Sequence, residues 1–317
     1  MPAPRTPRTP RASRPLAAAV ALAAGSLLLT ACGSSVGSTT TTSGAAPIPT
    51  QAIAPVPADP ALAGLVPADL KSAGKLVIGS DTSYAPNEFK DEKGKIVGMD
   101  VDLGAAIAQK LGLTAEFQSA GFTDIIPGIQ SNKYQLGMSS FTVTKARQEQ
   151  VDMVSYFSAG TSAAVKKGNP DKIALDDLCG KKVAVQDGTT QADEVKDTRN
   201  PACAKAGKPA IPNDGDRFAL QTDVAQALVS GRDQVMLADS PVVDYALKQT
   251  GGQLEKIGET YDSAPYGVIL AKGSPLSPAV QGAIKSLMAD GTYKTILDKW
   301  GVAAGAVTTS EINAAQS

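Results

Sequence analysis

Between about residues 75 and 300 the chain alternates short apolar runs with longer stretches whose apolar residues recur every three to four positions. The runs predict strands at Lys75–Ser80, at the alternating Leu113, Ala115 and Phe117, and at Leu136–Met138, Lys182–Gln186, Gln234–Ala238 and Pro265–Ala271. Val151–Phe157 leads into a further strand over Ala159–Lys166. The periodic stretches predict helices. Met99–Leu111 carries Leu103, Ile107 and Leu111 on one face with Asp100 as its cap, and Thr123–Ser131 turns Ile125, Ile126 and Ile129 inward. Others start near Gln191, at a Thr222 cap, at Ser240-Pro241 with Ser240 as cap, and at Ser277-Pro278, and Tyr293–Trp300 closes the series. Asp91–Gly94 reads as a hairpin tip, Asp176–Leu178 as a helical turn and Asn200–Asp216 as loop. Strands alternating with helices argue for an α/β architecture, with parallel or mixed sheets covered by helices on both faces.

The pattern repeats. Residues 129–140 (IQSNKYQLGMSS) and 228–239 (LVSGRDQVMLAD) share a helix end, a polar break, a basic residue, a Gln and a buried strand. In this register Ser140 matches Asp239, and each stands at the carboxyl end of its strand. Two similar lobes would then present equivalent lips to a ligand held between them.

The N-terminus departs from this pattern. Arg5, Arg8, Arg11 and Arg14 form a basic head, Leu16–Thr30 is apolar but short for a membrane span, and Leu29-Thr30-Ala31-Cys32 follows. This is an export signal over residues 1–31, and its end looks like a bacterial lipobox with Cys32 as the lipidated residue. The expected location is the outer face of the cell membrane, extracellular and lipid-anchored. Residues 32–66, rich in Ser, Thr, Gly, Ala and Pro, read as the lipidated cysteine and a flexible tether, and residues 304–317 as a disordered tail.

Charge and composition narrow the chemistry. The chain has 30 basic and 31 acidic residues, and the four head arginines leave the remainder net acidic. No basic, aromatic-rich patch suggests nucleic acid. The absence of histidine excludes a Ser-His-Asp triad and any His-ligated metal. With Cys32 assigned to lipid, Cys179 and Cys203 remain as an even pair in an oxidising compartment, to be joined as a disulfide or buried as two thiols.

Candidate binding chemistry concentrates in Tyr134–Arg147. A short strand runs into Ser139, Ser140 and Thr142, and Thr144 is placed to cap a helix whose first turn holds Arg147. A helix start and a guanidinium both suit a carboxylate. Asp81 and Tyr84 follow the end of the first strand, although Asp81 could cap its own turn and Tyr84 could cover core. Gly188-Thr189-Thr190 at a later helix start is a second, weaker anion site.

Several segments in order carry a resemblance. They are Gly79–Pro86 (GSDTSYAP), Gly98–Leu103 (GMDVDL), Ile125–Ile129 (IIPGI), Thr142–Arg147 (TVTKAR), Val183–Thr190 (VAVQDGTT), Ala238–Pro241 (ADSP) and Ala289–Tyr293 (ADGTY). Together they span about Gly74–Gly301 and resemble the extracellular solute-binding proteins of polar amino acid ABC importers, the group containing glutamine-, histidine- and arginine-binding proteins. The resemblance implies a two-lobe, type II periplasmic-binding-protein fold, each lobe a mixed sheet flanked by helices, with lobe 1 at residues 67–160 plus 263–303 and lobe 2 at residues 161–262. It implies an amino acid ligand, no cofactor and no metal, a membrane permease as partner, and action as a monomer. It assigns Arg147 to the ligand carboxylate with the N–H groups of Thr142 and of Thr190 after Gly188. Asp239 goes to the ammonium with Ser140 and Thr142, Tyr84 and Phe122 go to the two faces of the ligand side chain, and Asp81 to its polar end. Asn87 and Gln186 depart from the commoner pattern and leave ligand identity open. A dehydratase carried on the same fold would need an acid such as Glu88 near a leaving group, and a ligand sensor without transport is a further alternative.

Overall fold

The computed structural model describes residues 47–315; Cys32, the export signal and the start of the tether lie outside the described residues. The strands are β1 (Lys75–Ser80), β2 (Ser83–Tyr84), β3 (Glu88–Lys90), β4 (Ile96–Val97), β5 (Thr114–Ser119), β6 (Leu136–Gly137), β7 (Val151–Lys166), β8 (Val183–Gln186), β9 (Asp216–Phe218), β10 (Val235–Asp239) and β11 (Leu254–Ala271). Their order in the main sheet is β5-β1-β6-β11-β7-β10-β8-β9, and β2, β3 and β4 form a small antiparallel sheet beside it.

Two lobes arise because β7 and β11 are long enough to serve both. They pair antiparallel from Val151–Ala271 at one end to Lys166–Leu254 at the other, with register shifts around Tyr261–Ala264. In the first lobe β6 lies between parallel β1 and antiparallel β11, while in the second β10 lies between parallel β8 and antiparallel β7. The repeated sequence pattern thus occupies the same topological position in each lobe. Separate apolar clusters fill the two halves. One gathers Leu76, Ile78, Leu103, Ile107, Val268, Ile284 and Leu297, and another gathers Val183, Val185, Val195, Val235 and Leu237. Their closely spaced branched residues suit strands buried on both faces.

Several local expectations change. Gly98, not Asp100, caps Met99–Lys110, and the Asp100 carboxylate is buried against the Ser140 N–H. Thr222 and Ser240 lie inside their helices, which are entered from Leu220 and Asp239. Asp176–Leu178 is a bridged turn rather than a helix. Asn200–Asp216 is not all loop, because Asn200–Lys205 continues the helix that begins at Thr190. Cys203 on that helix is bonded to Cys179.

The tether and the tail are the largest corrections. From Pro47 the chain lies on the first lobe, where Ile48, Ile53, Val56, Leu62 and Val66 pack against its core. Val56 N–H donates to Gln109 Oε1 and Asp59 N–H to the Lys110 carbonyl. Apolar residues scattered too widely for a helical stripe still seat a strap that is irregular over residues 47–59 and leads into the short helix Pro60–Gly64, which Asp59 caps. At the other end, residues 310–313 cover the edge of β7 left open in the first lobe. Ile312 bridges Val154, Ser155 N–H donates to the Glu311 carbonyl, and Asn313 Oδ1 accepts from Met153 N–H. An uncovered edge would leave backbone groups unpaired, so an otherwise featureless tail is held there.

Replacing both Cys179 and Cys203 by Ser frees a loop closed at a sequence separation of 24. The expected cost is about 3.5 kcal/mol of unfolding free energy, read as a lower urea midpoint under non-reducing conditions. An unchanged midpoint contradicts a structural bridge.

Candidate functional site

The cleft lies where strand ends and loops of the two lobes meet across the β7–β11 crossing. From the first lobe comes the loop after β6. Its backbone is clamped to the hinge strand: Thr142 bridges Tyr266, Gly267 N–H donates to the Phe141 carbonyl, and Val143 N–H donates to the Pro265 carbonyl. Thr144 caps the helix Lys145–Gln150 by accepting from Arg147 N–H, which aims the arginine back over this loop. The guanidinium donates to two carbonyls, Thr142 at 2.8 Å and Gly188 of the opposite lobe at 3.1 Å. Phe122 and Phe141 stack at 4.5 Å, and the guanidinium carbon lies 5.5 and 5.4 Å from their centroids. These rings add cation–π attraction and fix the fork's plane.

From the second lobe comes Asp239, at the end of β10 and 6% exposed. Its carboxylate accepts from Tyr266 Oη at 2.7 Å and Gln191 Nε2 at 2.8 Å, and Gln191 Nε2 also donates to Thr161 Oγ1. Asp239 N–H donates to Tyr84 Oη across the cleft. Burial raises the Asp239 pKa, while its hydrogen bonds and the positive Arg147 oppose the rise. Burial lowers the Arg147 pKa, opposed by the negative Asp239.

Tyr84, Phe122, Ser140, Thr142, Arg147, Thr190 and Asp239, together with Thr189 and Gln191, line one narrow cavity of about 10 Å³, closed down by the contacts between the lobes. Asp81 and Gly188 do not line it, but each bonds a residue that does: Asp81 accepts from Phe122 N–H and the Gly188 carbonyl accepts from Arg147. Gly188 contributes its carbonyl to Arg147, and its φ of +74° with Thr123 Cγ2 only 2.7 Å from a built Cβ restricts this turn to glycine. Asp81, 1% exposed, accepts from Ser83 N–H and Oγ–H, Phe122 N–H and Gln186 Nε2. Burial raises its pKa against those hydrogen bonds. Tyr84 packs into the apolar cluster of the second lobe, and Phe122 has Phe141 against it.

Asn87 and Gln186 stand behind the cavity wall: Asn87 Nδ2 donates to Ser140 Oγ, and Gln186 binds Asp81. Glu88 is likewise behind the wall, accepting from Ser139 and Ser140, rather than at a face where a leaving group would lie. Sequence reasoning missed Gln191 and Tyr266. Gln191 had a local signal, one residue past Thr190 at a helix start, whereas Tyr266 reaches Asp239 only through the β7–β11 crossing.

Two lobes on exchanged strands, with a guanidinium and a carboxylate facing one cavity, define a cleft-type binding protein. A family model described as bacterial extracellular solute-binding proteins, family 3, matches residues 76–303, and the chain belongs to that family. It is 32% identical to an arginine-binding protein of Corynebacterium glutamicum over 310 residues, covering 98% of each chain. It is 30% identical to the lysine/arginine/ornithine-binding periplasmic protein of Escherichia coli K12, over 70% of this chain and 86% of that one. Among solved structures, an ancestral arginine-binding protein bound to arginine aligns with a TM-score of 0.65 at 38% identity, covering 72% of this chain and 98% of the other. No helix among the described residues is long and apolar enough to cross a membrane.

The raised pKa of Asp239 sets a stability test. The folded protein holds this proton to higher pH than the unfolded chain, so the associated stability is complete below the unfolded value. It is lost as pH rises through the folded value. Asp239→Asn removes the titration. The ligand-free variant should therefore gain on the wild type as pH rises from 4 to 8, by on the order of 1 kcal/mol. Parallel stability profiles in chemical denaturation contradict this.

Proposed function

We propose that this protein captures a cationic amino acid of the arginine–lysine class between its lobes and delivers it to an ABC importer. Arg147 takes the α-carboxylate in a two-pronged hydrogen bond, with the N–H groups of Thr142 and Thr190 beside it. Asp239 takes the α-ammonium, with Ser140 and the Thr142 hydroxyl completing that shell. Tyr84 and Phe122 border the side chain, and Asp81 faces its charged end. Lipid on Cys32 holds the protein at the outer face of the membrane, where it acts as a monomer.

The observation that carries this reading is that Arg147 and Asp239, from opposite lobes, line the same narrow cavity. A zwitterion pairs with both at once. Charge balance argues for the side chain: Asp81 is buried with neutral donors, and among the described residues no lysine or arginine forms an ion pair with it. One guanidinium against the carboxylates of Asp239 in the cavity and of Asp81 buried beside Phe122 leaves the region negative by one, and a ligand with a second cation restores neutrality. The names of the relatives point the same way.

Mechanism follows from which contacts cross the cleft. Arg147 reaches Gly188, Gln186 reaches Asp81, Gln221 N–H donates to Ser83 Oγ, and Asp239 N–H donates to Tyr84. These are the contacts a hinge motion would make or break. A ligand bridging Arg147 and Asp239 favours the approached lobes by its greater affinity for that arrangement, and the permease reads the lobe arrangement.

Calorimetric titration with L-arginine tests the reading. Arg147→Ala should weaken binding at least a hundredfold, about 3 kcal/mol, because it leaves a carboxylate unpaired in the cleft. Undiminished affinity contradicts the role of Arg147. Asp81→Asn should weaken L-arginine and L-lysine about tenfold more than L-glutamine, since one buried charge pair differs between them. Equal losses contradict the cationic assignment.

A further inference from the structure

Directly behind Ser139 and Ser140 lie two carboxyl groups that are bonded to those serines and do not line the cavity. Glu88 on β3 and Asp100 near the start of the helix Met99–Lys110 are both 0% exposed. Both bond to the same residue, Ser140, one through its hydroxyl and one through its N–H, which sets the two carboxyl groups side by side. Two buried carboxyl groups in that position, with no lysine or arginine paired to them among the described residues, are accommodated by a proton between them.

Their remaining valences go to the binding loop. Glu88 Oε1 accepts from Ser139 Oγ at 3.0 Å and Oε2 from Ser140 Oγ at 3.2 Å. Asp100 Oδ2 accepts from Ser140 N–H at 2.9 Å, and Tyr156 Oη donates to the same carboxyl group at 2.7 and 2.8 Å. Ser139 Oγ in turn accepts from Asp81 N–H at 2.9 Å. Ser140 is held at φ +52°, a left-handed conformation that costs a residue bearing a Cβ roughly 1–2 kcal/mol. The two carboxyl groups supply the bonds that hold it there.

The local backbone places this pair. Gly98 adopts φ +142°, and a Cβ on it would lie 2.0 Å from the Asn87 carbonyl oxygen. That approach lets Met99 N–H reach the Pro86 carbonyl and Asp100 N–H reach the Asn87 carbonyl, which sets the first helical turn against β3. Asp100 in that first turn gains from the helix dipole as an anion, so the shared proton resides on Glu88.

The groups facing the pair are Asp81 after β1, Tyr84 on β2 and Tyr156 on β7. Among the described residues no lysine or arginine forms an ion pair with either carboxyl. Burial pushes both acids above the usual carboxylate range, and the negative Asp100 and Asp81 push Glu88 further.

We propose that Glu88 and Asp100 are positioning residues that brace Ser139 and Ser140 through a shared proton, so that ligand affinity falls when that proton leaves. Release gives the proton to bulk water and leaves two buried carboxylates in contact. The groups bonded to them are Ser139 and Ser140, so the loss of the proton acts on the binding loop first. This rests on the reading that the ligand binds between the lobes.

The test compares wild type, Glu88→Gln, Glu88→Ala and Arg147→Ala by calorimetric titration with L-arginine from pH 5.5 to 9.5. Glu88→Gln keeps a donor toward Asp100 and an acceptor toward the serines but cannot ionise. Ionisation of the ligand and of Asp239 affects both proteins alike, so the ratio of their affinities isolates the pair. The wild type should lose at least threefold relative to Glu88→Gln toward the alkaline end, and a constant ratio overturns the proposal. Glu88→Ala should bind about tenfold more weakly than Glu88→Gln at neutral pH, and equal affinities also overturn it. Loss of binding in Arg147→Ala alongside a constant ratio leaves the functional reading standing and removes only the brace. If the wild type binds no amino acid, the functional reading fails. The brace is then judged on ligand-free protein by ¹³C titration of the two carboxyl carbons, where ordinary glutamate behaviour at Glu88 overturns it.

Discussion

The cleft holds a guanidinium and a carboxylate that do not satisfy each other. Arg147 spends its hydrogen bonds on two carbonyl oxygens, and Asp239 takes its own from a phenol and an amide. Both partners sets are neutral, so each charge is solvated by dipoles but not cancelled. In a partly dehydrated space this arrangement costs stability, and the ligand proposed above would recover that cost by bringing both opposite charges in one molecule. The rest of the fold serves to keep these two groups on different bodies while aiming them at one space.

Exchanged strands provide that separation. Each lobe completes its sheet with a strand that comes from the other, β11 for β6 and β7 for β10. Tyr266 sits on one of these strands at the crossing, pairs its backbone with the Arg147 loop and gives its hydroxyl to Asp239. A change in the crossing therefore moves both charges. The ring of Phe157 lies 5.4 Å from Tyr266 and fills the space beneath it, which leaves the hydroxyl little freedom to turn away.

How much of this was legible follows physical range. Arg147 could be read from sequence because its position depends on a local cap, Thr144, three residues away. Asp239 could be read because strand ends in α/β sheets collect ligand groups and because residues 228–239 repeat residues 129–140. Asp100 reads as a cap from sequence, since a carboxylate in a first helical turn normally bonds its own backbone, whereas here Ser140 and Tyr156, distant in sequence, claim it. The strap at residues 47–66 and the described part of the tail, residues 304–315, escape sequence reading for a related reason. Their apolar residues have no helical or strand period, and their value lies entirely in surfaces that other segments leave uncovered.

Those two straps bear on the motion as well as on stability. Val56 and Asp59 bind the end of the helix Met99–Lys110, and Ile312 and Asn313 bind the first-lobe half of β7. Neither set of bonds reaches β8, β9 or β10. Both ends of the described chain therefore stiffen one lobe and impose no restraint across the cleft. The register shifts around Tyr261–Ala264 interrupt the β7–β11 ladder beside the crossing. Bending is cheapest where ladder hydrogen bonds are already irregular. Stiffness at the termini and irregularity at the crossing together favour bending at the two crossing strands, one of which carries Tyr266 and through it contacts Asp239.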